Sequence, residues 1–227
     1  MSKLLYLVLI PVLYSLIRYQ FSIFRMKSNI DANSAELNDR AIDRLNRKMA
    51  TALGVSRIDA YVFEIEAVNG FAVPDGRVFI TRGLMNRYRL GEVSAEELVS
   101  VIAHEIGHVA LGHAKMRMID VAGKDAVRIA LGLMFLKIPL VGNLIADFLA
   151  RIFATGISRL DEYEADKFAS GLLIKSGIGT APQKSLFEKL GQMGAGDGGV
   201  AWMMDHPTPK DRILAIEKNE RNWGILA

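Results

Sequence analysis

Five consecutive residues, His104-Glu105-Ile106-Gly107-His108, restrict the fold more tightly than any other part of the chain. An α-helix turns about 100° per residue, so histidines four positions apart lie nearly above one another and turn their imidazoles the same way. Such a pair grips one metal ion only if the stretch is helical and another element closes on the same face. Glu105 lies about 100° around from His104, within reach of a water at that metal but off the ligand line, and reads as a general base. The flanks supply the helix. Ser94-Ala95-Glu96-Glu97 has the form of a capping box, starting a helix near Ala95. Leu98, Ile102, Ile106 and Val109 then recur at spacings of three and four, a buried stripe beside the two histidines.

A catalytic zinc takes three protein ligands and leaves a position open for water, so a third His, Asp or Glu has to come from elsewhere. Ser158 to Asp166 reads as a helix on which Glu162 and Asp166, four apart, share a face, while Glu164 lies about 200° from Glu162. Glu162 would complete a His-His-Glu site, with Asp161 and Glu164 as the alternatives. Asp166, one turn on, could accept the free ring N–H of a ligand histidine and fix its tautomer. Without the first motif, an acidic cluster of this kind would read as a solvated helix face. On a continuous helix His113 lies about 180° from His104 and 140° from His108, so it cannot join them and is assigned a structural hydrogen-bonding role.

With these motifs in place the chain resembles the HtpX-like and CAAX-prenyl-protease-like family of membrane-associated gluzincin zinc metallopeptidases, over most of Asn33 to Asn222. Asn69-Gly70-Phe71-Ala72-Val73-Pro74-Asp75-Gly76 is similar to the family's N-A-F-A-x-P-G-G segment. His104 to His113 is similar to its H-E-x-G-H-x-x-x-x-H, Ser158 to Asp166 to its E-x-x-x-D region, and His206-Pro207-Thr208-Pro209 to its late His-Pro motif. Gly70 and Asp75 depart from the pattern without touching the metal. The resemblance implies an α+β, mainly α-helical, zincin-type domain with a small antiparallel sheet beside the HExxH helix. It also implies one zinc ion per chain on His104, His108 and Glu162, and peptide-bond hydrolysis with Glu105 as base. Asn69, Gly70, Phe71 and Ala72 would form an edge strand that pairs with an extended polypeptide substrate, drawn from membrane or misfolded proteins. His206 either reaches the cleft, stabilising an oxyanion or capping the zinc in a latent state, or only decorates its loop. Two other functions stay open: a membrane-tethered chaperone or scaffold with a latent zinc site, and a zinc hydrolase of lipid-linked or small amide substrates.

Composition places this chemistry in one domain over residues 28–227, behind an N-terminal segment over 1–27. A net charge of +3, scattered through the chain, gives no footprint for nucleic acid, and the lack of cysteine excludes disulfides and thiolate ligands. Leu4 to Ile17 is uncharged and mostly aliphatic, and apolar character resumes from Tyr19 to Phe24. With Arg18 snorkelling, the segment approaches the roughly 20 residues that span a bilayer. Its first run alone has the length of a signal-peptide core, but no small-x-small cleavage site follows, which favours a single uncleaved anchor. Arg18, Arg25 and Lys27 outweigh Lys3 and the α-amino group, leaning towards a cytoplasmic catalytic domain, with the periplasmic or other extracytoplasmic side left open. Ile129 to Ile157 is also apolar but interrupted by Lys137, Asp147 and Arg151, and reads as buried helices or a shallow membrane-dipping hairpin.

Elsewhere, Ala35 to Leu53 has helical periodicity ending at Gly54. Tyr61 to Glu66 alternates like a strand, and Val78 to Thr81 returns as another after Pro74-Asp75-Gly76. Thr208 and Pro209 form the N-cap and first turn of a last helix. Gly191 to Gly199 reads as a loop.

Overall fold

A computed structural model describes residues 13, 14, 17, 28, 30–73, 75–113, 159–194 and 207–225. The chain divides into two compact units, Met1–Ala32 with Lys115–Ser158, and Asn33–Ala114 with Arg159–Ala227. The apolar stretch 129–157, the loop residues 195–199 and His206 lie outside the described residues, as does the N-terminal segment apart from Leu13, Tyr14 and Ile17. Among the described residues no helix is long and apolar enough to cross a membrane.

The second unit begins with strand β1 (Ser34–Glu36), helix α1 (Arg40–Leu53) and strands β2 (Ala60–Phe63), β3 (Gly70–Ala72) and β4 (Val78–Thr81). Helices α2 (Arg82–Arg89), α3 (Ala95–Ala110), α4 (residues 159–175), α5 (Ala181–Gly194) and α6 (Pro209–Asn222) follow. The motif helix is thus α3, and the second acidic segment is α4.

Local chemistry sets the boundaries. Helical periodicity placed α1 from Ala35, but residues 34–36 are strand, and Leu37 continues the ladder through its amide to the Ala60 carbonyl at 3.0 Å. The helix starts only after Asp39, whose Oδ1 accepts from the amides of Ala41 and Ile42 at 2.9 and 3.1 Å, an N-cap that overrides the apolar pattern before it. It ends at Gly54 as expected, with φ 76°. The capping box forms: Ser94 Oγ accepts from the Glu97 amide at 3.1 Å, and Glu97 Oε2 accepts from the Ser94 amide at 2.7 Å. Thr208 caps α6 with Pro209 in its first turn.

The small sheet is present but mixed, not purely antiparallel, in the order β1-β2-β4-β3. The Asp75-Gly76 turn makes β3 and β4 a hairpin, closed by the Val73 amide on the Arg77 carbonyl at 3.0 Å. The connection from β2 first crosses to β3, so β4 returns beside β2 in the parallel sense, Ala60 opposite Val78 and Phe63 opposite Thr81. The strand expected to Glu66 stops at Phe63, because Glu64 turns out to pair with Arg82, Nε to Oε2 at 2.9 Å, and the Ile65 carbonyl accepts from the Gly83 amide.

Side chains from both sides of this sheet are accounted for. Val62, Val78 and Ile80 enter the core with Ile42, Leu45 and Met49 of α1, Leu98 and Ile102 of α3, Leu173 of α4, Leu186 and Phe187 of α5 and Ile216 of α6. Each such side chain contributes about 1.5–3 kcal/mol by leaving water. On the other face Phe79 stacks between Phe71 and Tyr61, at centroid distances of 5.0 and 5.3 Å. Helix α3 is covered all round, from Glu97 to Glu105 without interruption, whereas Ile106, between the two histidines, and Val109 beyond them are only half-buried, so the predicted stripe thins towards the end of the helix. Glu97 also fastens α3 to α5, accepting from Ser185 Oγ at 2.6 Å and Lys189 Nζ at 2.7 Å. Burial would raise its pKa, but these two donors and the Ser94 amide hold the carboxylate below its usual range. The helix that carries the histidines is fixed at its start by one ionised side chain.

A candidate metal centre

Helix α4 crosses α3 at Gly107. A Cβ there would lie 3.0 Å from the Ala165 carbonyl oxygen and 3.1 Å from its Cα, so the two backbones touch where any other residue would separate them. This contact brings Glu162 onto the face shared by His104 and His108. Its Oε2 lies 3.2 Å from His104 Nε2 and its Oε1 3.3 Å from His108 Nε2, and the two imidazole nitrogens are 3.2 Å apart. All three residues are buried.

This spacing can be tested against a metal. Tetrahedral zinc with bonds of about 2.0–2.1 Å places neighbouring donor atoms about 3.3–3.4 Å apart; the two imidazole nitrogens are 3.2 Å apart and each meets its own oxygen of the Glu162 carboxylate, at 3.2 and 3.3 Å, which is that spacing. Two imidazoles and a carboxylate are also the donor types zinc takes. Among the described residues this is the one cluster whose His, Asp or Glu donors converge in this way.

The outer nitrogens decide whether the inner ones are free to bind. His104 Nδ1 lies 3.0 Å from Asp166 Oδ1, so this ring donates there and keeps its Nε2 lone pair for the centre. Asp166 is gripped in turn by Arg212, Nε to Oδ2 at 2.7 Å and Nη2 to Oδ1 at 2.6 Å. The guanidinium is buried 4.2 Å above the centroid of the Phe187 ring. Burial would raise the Asp166 pKa, but the Arg212 charge and the hydrogen bonds from Arg212 and His104 pull it down to about 2. Burial and Arg212 together depress His104, yet its hydrogen bonds to Asp166 and Glu162 outweigh them and push it up to about 9. The carboxylates that draw a proton to His104 draw a divalent cation as well, and the proton has to leave before Nε2 can bind one.

Arg212 escaped the sequence reading. Its only trace is that Arg212, Ile216 and Glu220 recur every four residues on the inward face of α6, a charged residue at each end of an apolar stripe. His113 stays outside the donor cluster and has the hydrogen-bonding role assigned to it, but the angle used to place it does not hold. Its angular separation from His108 assumed a continuous helix, but α3 ends at Ala110 and Gly112 takes φ 74°, its amide bonding to the Val109 carbonyl at 3.1 Å. The chain folds back and His113 Nδ1 comes to lie 3.1 Å from His108 Nδ1, with its Nε2 3.2 Å from Glu164 Oε2.

Glu105 is buried one step along α3, where β3 passes close: a Cβ on Gly70 would lie 2.6 Å from Val101 Cγ1 and 3.6 Å from Glu105 Cγ. The glycine that departs from the family pattern therefore lets this strand sit against the motif helix. β3 is the outer strand of the described sheet. Asn69, Phe71 and Val73 face β4, with the Thr81 amide on the Asn69 carbonyl at 3.0 Å, so the main-chain groups of Gly70 and Ala72 point to the open edge. The Gly70 amide is taken by Asn69 Oδ1 at 2.9 Å, and the Phe71 ring lies on the aromatic face of the sheet.

Against this geometry, a family model described as peptidase family M48 matches residues 36–220. The chain is 30% identical over 226 residues to the metalloprotease LoiP of Escherichia coli K12, covering 89% of this chain and 86% of that protein. It is 32% identical over 179 residues to the metalloprotease YcaL of the same strain, covering 74% and 66%. It is 29% identical over 182 residues to the mitochondrial metalloendopeptidase OMA1 of Arabidopsis thaliana, covering 78% of this chain and 36% of that protein.

Proposed function

This chain belongs to peptidase family M48 and is a zinc-dependent metalloendopeptidase, and we propose that it cleaves polypeptides at a centre built from His104, His108 and Glu162, with Glu105 as the general base. The grouping of three buried donor residues, each imidazole Nε2 within 3.3 Å of a Glu162 oxygen, carries this reading. Zinc bound there would supply a Lewis acid, which acidifies water and polarises a carbonyl group. The chain's own residues account for the rest. Asp166, at the outer nitrogen of His104, keeps that ring in the tautomer whose Nε2 serves as a donor. Glu105 takes the proton of the attacking water on its carboxylate and returns it to the nitrogen of the leaving amine. The Gly70 carbonyl and the Ala72 amide and carbonyl offer an extended substrate main-chain partners beside Glu105, so affinity would depend little on substrate side chains.

The same reading gives the chain one N-terminal membrane anchor over residues 1–27 ahead of a catalytic domain over 28–227, supported by the apolar run from Leu4. Basic residues after that run favour a cytoplasmic catalytic domain. Membrane or misfolded proteins are its proposed substrates.

Casein cleavage by the full chain in detergent, with zinc measured on the same samples, tests the core of this proposal. Glu105→Gln should keep its zinc and lose at least about 100-fold in rate. Cleavage at the wild-type rate by the zinc-loaded variant would remove Glu105 from the role.

A further inference from the structure

Resting on the zinc reading above, we propose that His113, oriented by Glu164, is a positioning residue that selects the metal-binding tautomer of His108.

The order of protons along the line follows from its end groups. Glu164 Oε2 can only accept when ionised, and it lies 3.2 Å from His113 Nε2, so that nitrogen carries the proton. A neutral His113 is then an acceptor at Nδ1. His108 Nδ1, 3.1 Å away, donates to it, and the lone pair of His108 is left on Nε2, the atom facing His104 and Glu162. The opposite order would point a bare His113 nitrogen at a carboxylate and put a proton on His108 Nε2, where a metal has to bind. One charge at the rim of the fold thereby sets a tautomer at its centre.

Two features of the chain build this arrangement. The left-handed turn at Gly112 folds His113 back beneath His108. Helix α4 serves both ligand histidines, Asp166 reaching His104 directly and Glu164 reaching His108 through His113.

The test compares zinc dissociation constants by chelator competition, Co2+ absorption spectra and metal-free stability in urea for the full chain in detergent. His113→Leu removes the acceptor and should weaken zinc binding about 10–100-fold and alter the Co2+ spectrum. His113→Asn offers an amide oxygen where Nδ1 lies and should recover most of the affinity. Glu164→Ala, which leaves His113 in place but removes its acceptor, should weaken binding about three- to tenfold and decides the matter if His113→Leu does not fold. A merely structural His113 would change urea stability while leaving zinc affinity and the cobalt spectrum as in wild type, and that result overturns the proposal. So would His113→Asn binding as weakly as His113→Leu, or, where His113→Leu does not fold, wild-type affinity in Glu164→Ala. Failure of the wild-type chain itself to bind zinc would instead overturn the metal reading on which the proposal rests.

Discussion

The two flanks of the metal centre do the same work by opposite means. On the His104 side the outer nitrogen meets a buried ion pair, Asp166 with Arg212, packed over Phe187 and closed to water. On the His108 side it meets a second imidazole leading to Glu164, whose side chain is 66% exposed. A buried pair holds its geometry rigidly, but removing one member strands a charge in a medium that cannot solvate it. An imidazole relay gives weaker orientation and far less to lose. The first flank should therefore behave as part of the core, and the second as an adjustment to metal affinity.

The largest test of that contrast is Arg212→Met. It leaves Asp166 buried without its cation and should destabilise the metal-free protein by about 3–5 kcal/mol in urea unfolding, with His113→Leu costing clearly less. Equal losses would erase the distinction. Gly107→Ala addresses what the flanks share. Its Cβ meets the Ala165 backbone, which cannot swing aside as a flexible side chain could, so α4 has to shift and carry Glu162, Glu164 and Asp166 with it. A cost of about 1–3 kcal/mol is expected, with weakened zinc binding as the sharper readout. A variant with unchanged zinc affinity would show that the helix contact does not set the site.

Acid titrates the charged flank, together with Glu97 at the start of α3. The Asp166 carboxyl is lowered from 3.8 to about 2 in the folded chain, so its stabilisation, roughly 2 kcal/mol, is present above the unfolded value and is lost as pH falls through the folded one. Metal-free protein should therefore lose stability between about pH 4 and pH 2, in denaturant midpoints measured across that range. A flat profile there would mean that Asp166 is not held ionised.

Much of this site was legible because its signals are local. Helical spacing aligns His104 with His108 and Glu162 with Asp166, and the Ser94 and Glu97 cap lies within four residues. What escaped depends on the chain returning from a distance or leaving a regular element. Arg212 reaches Asp166 from 46 residues further on, and only its four-residue spacing from Ile216 and Glu220 separates it from a solvated arginine on a surface helix. His113 was placed by extending a helix that stops three residues earlier, where Gly112 turns left-handed. The parallel pairing of β2 with β4 comes from the crossing to β3, which alternation along a single strand does not encode.

Zinc content per chain is the most direct check on the central assignment, measured on wild type, Glu162→Ala and Glu164→Ala purified side by side. One zinc ion in wild type and in Glu164→Ala after mild dialysis, and none in Glu162→Ala, is the result expected of a His104, His108 and Glu162 centre. Zinc held by Glu162→Ala as firmly as by wild type would contradict it.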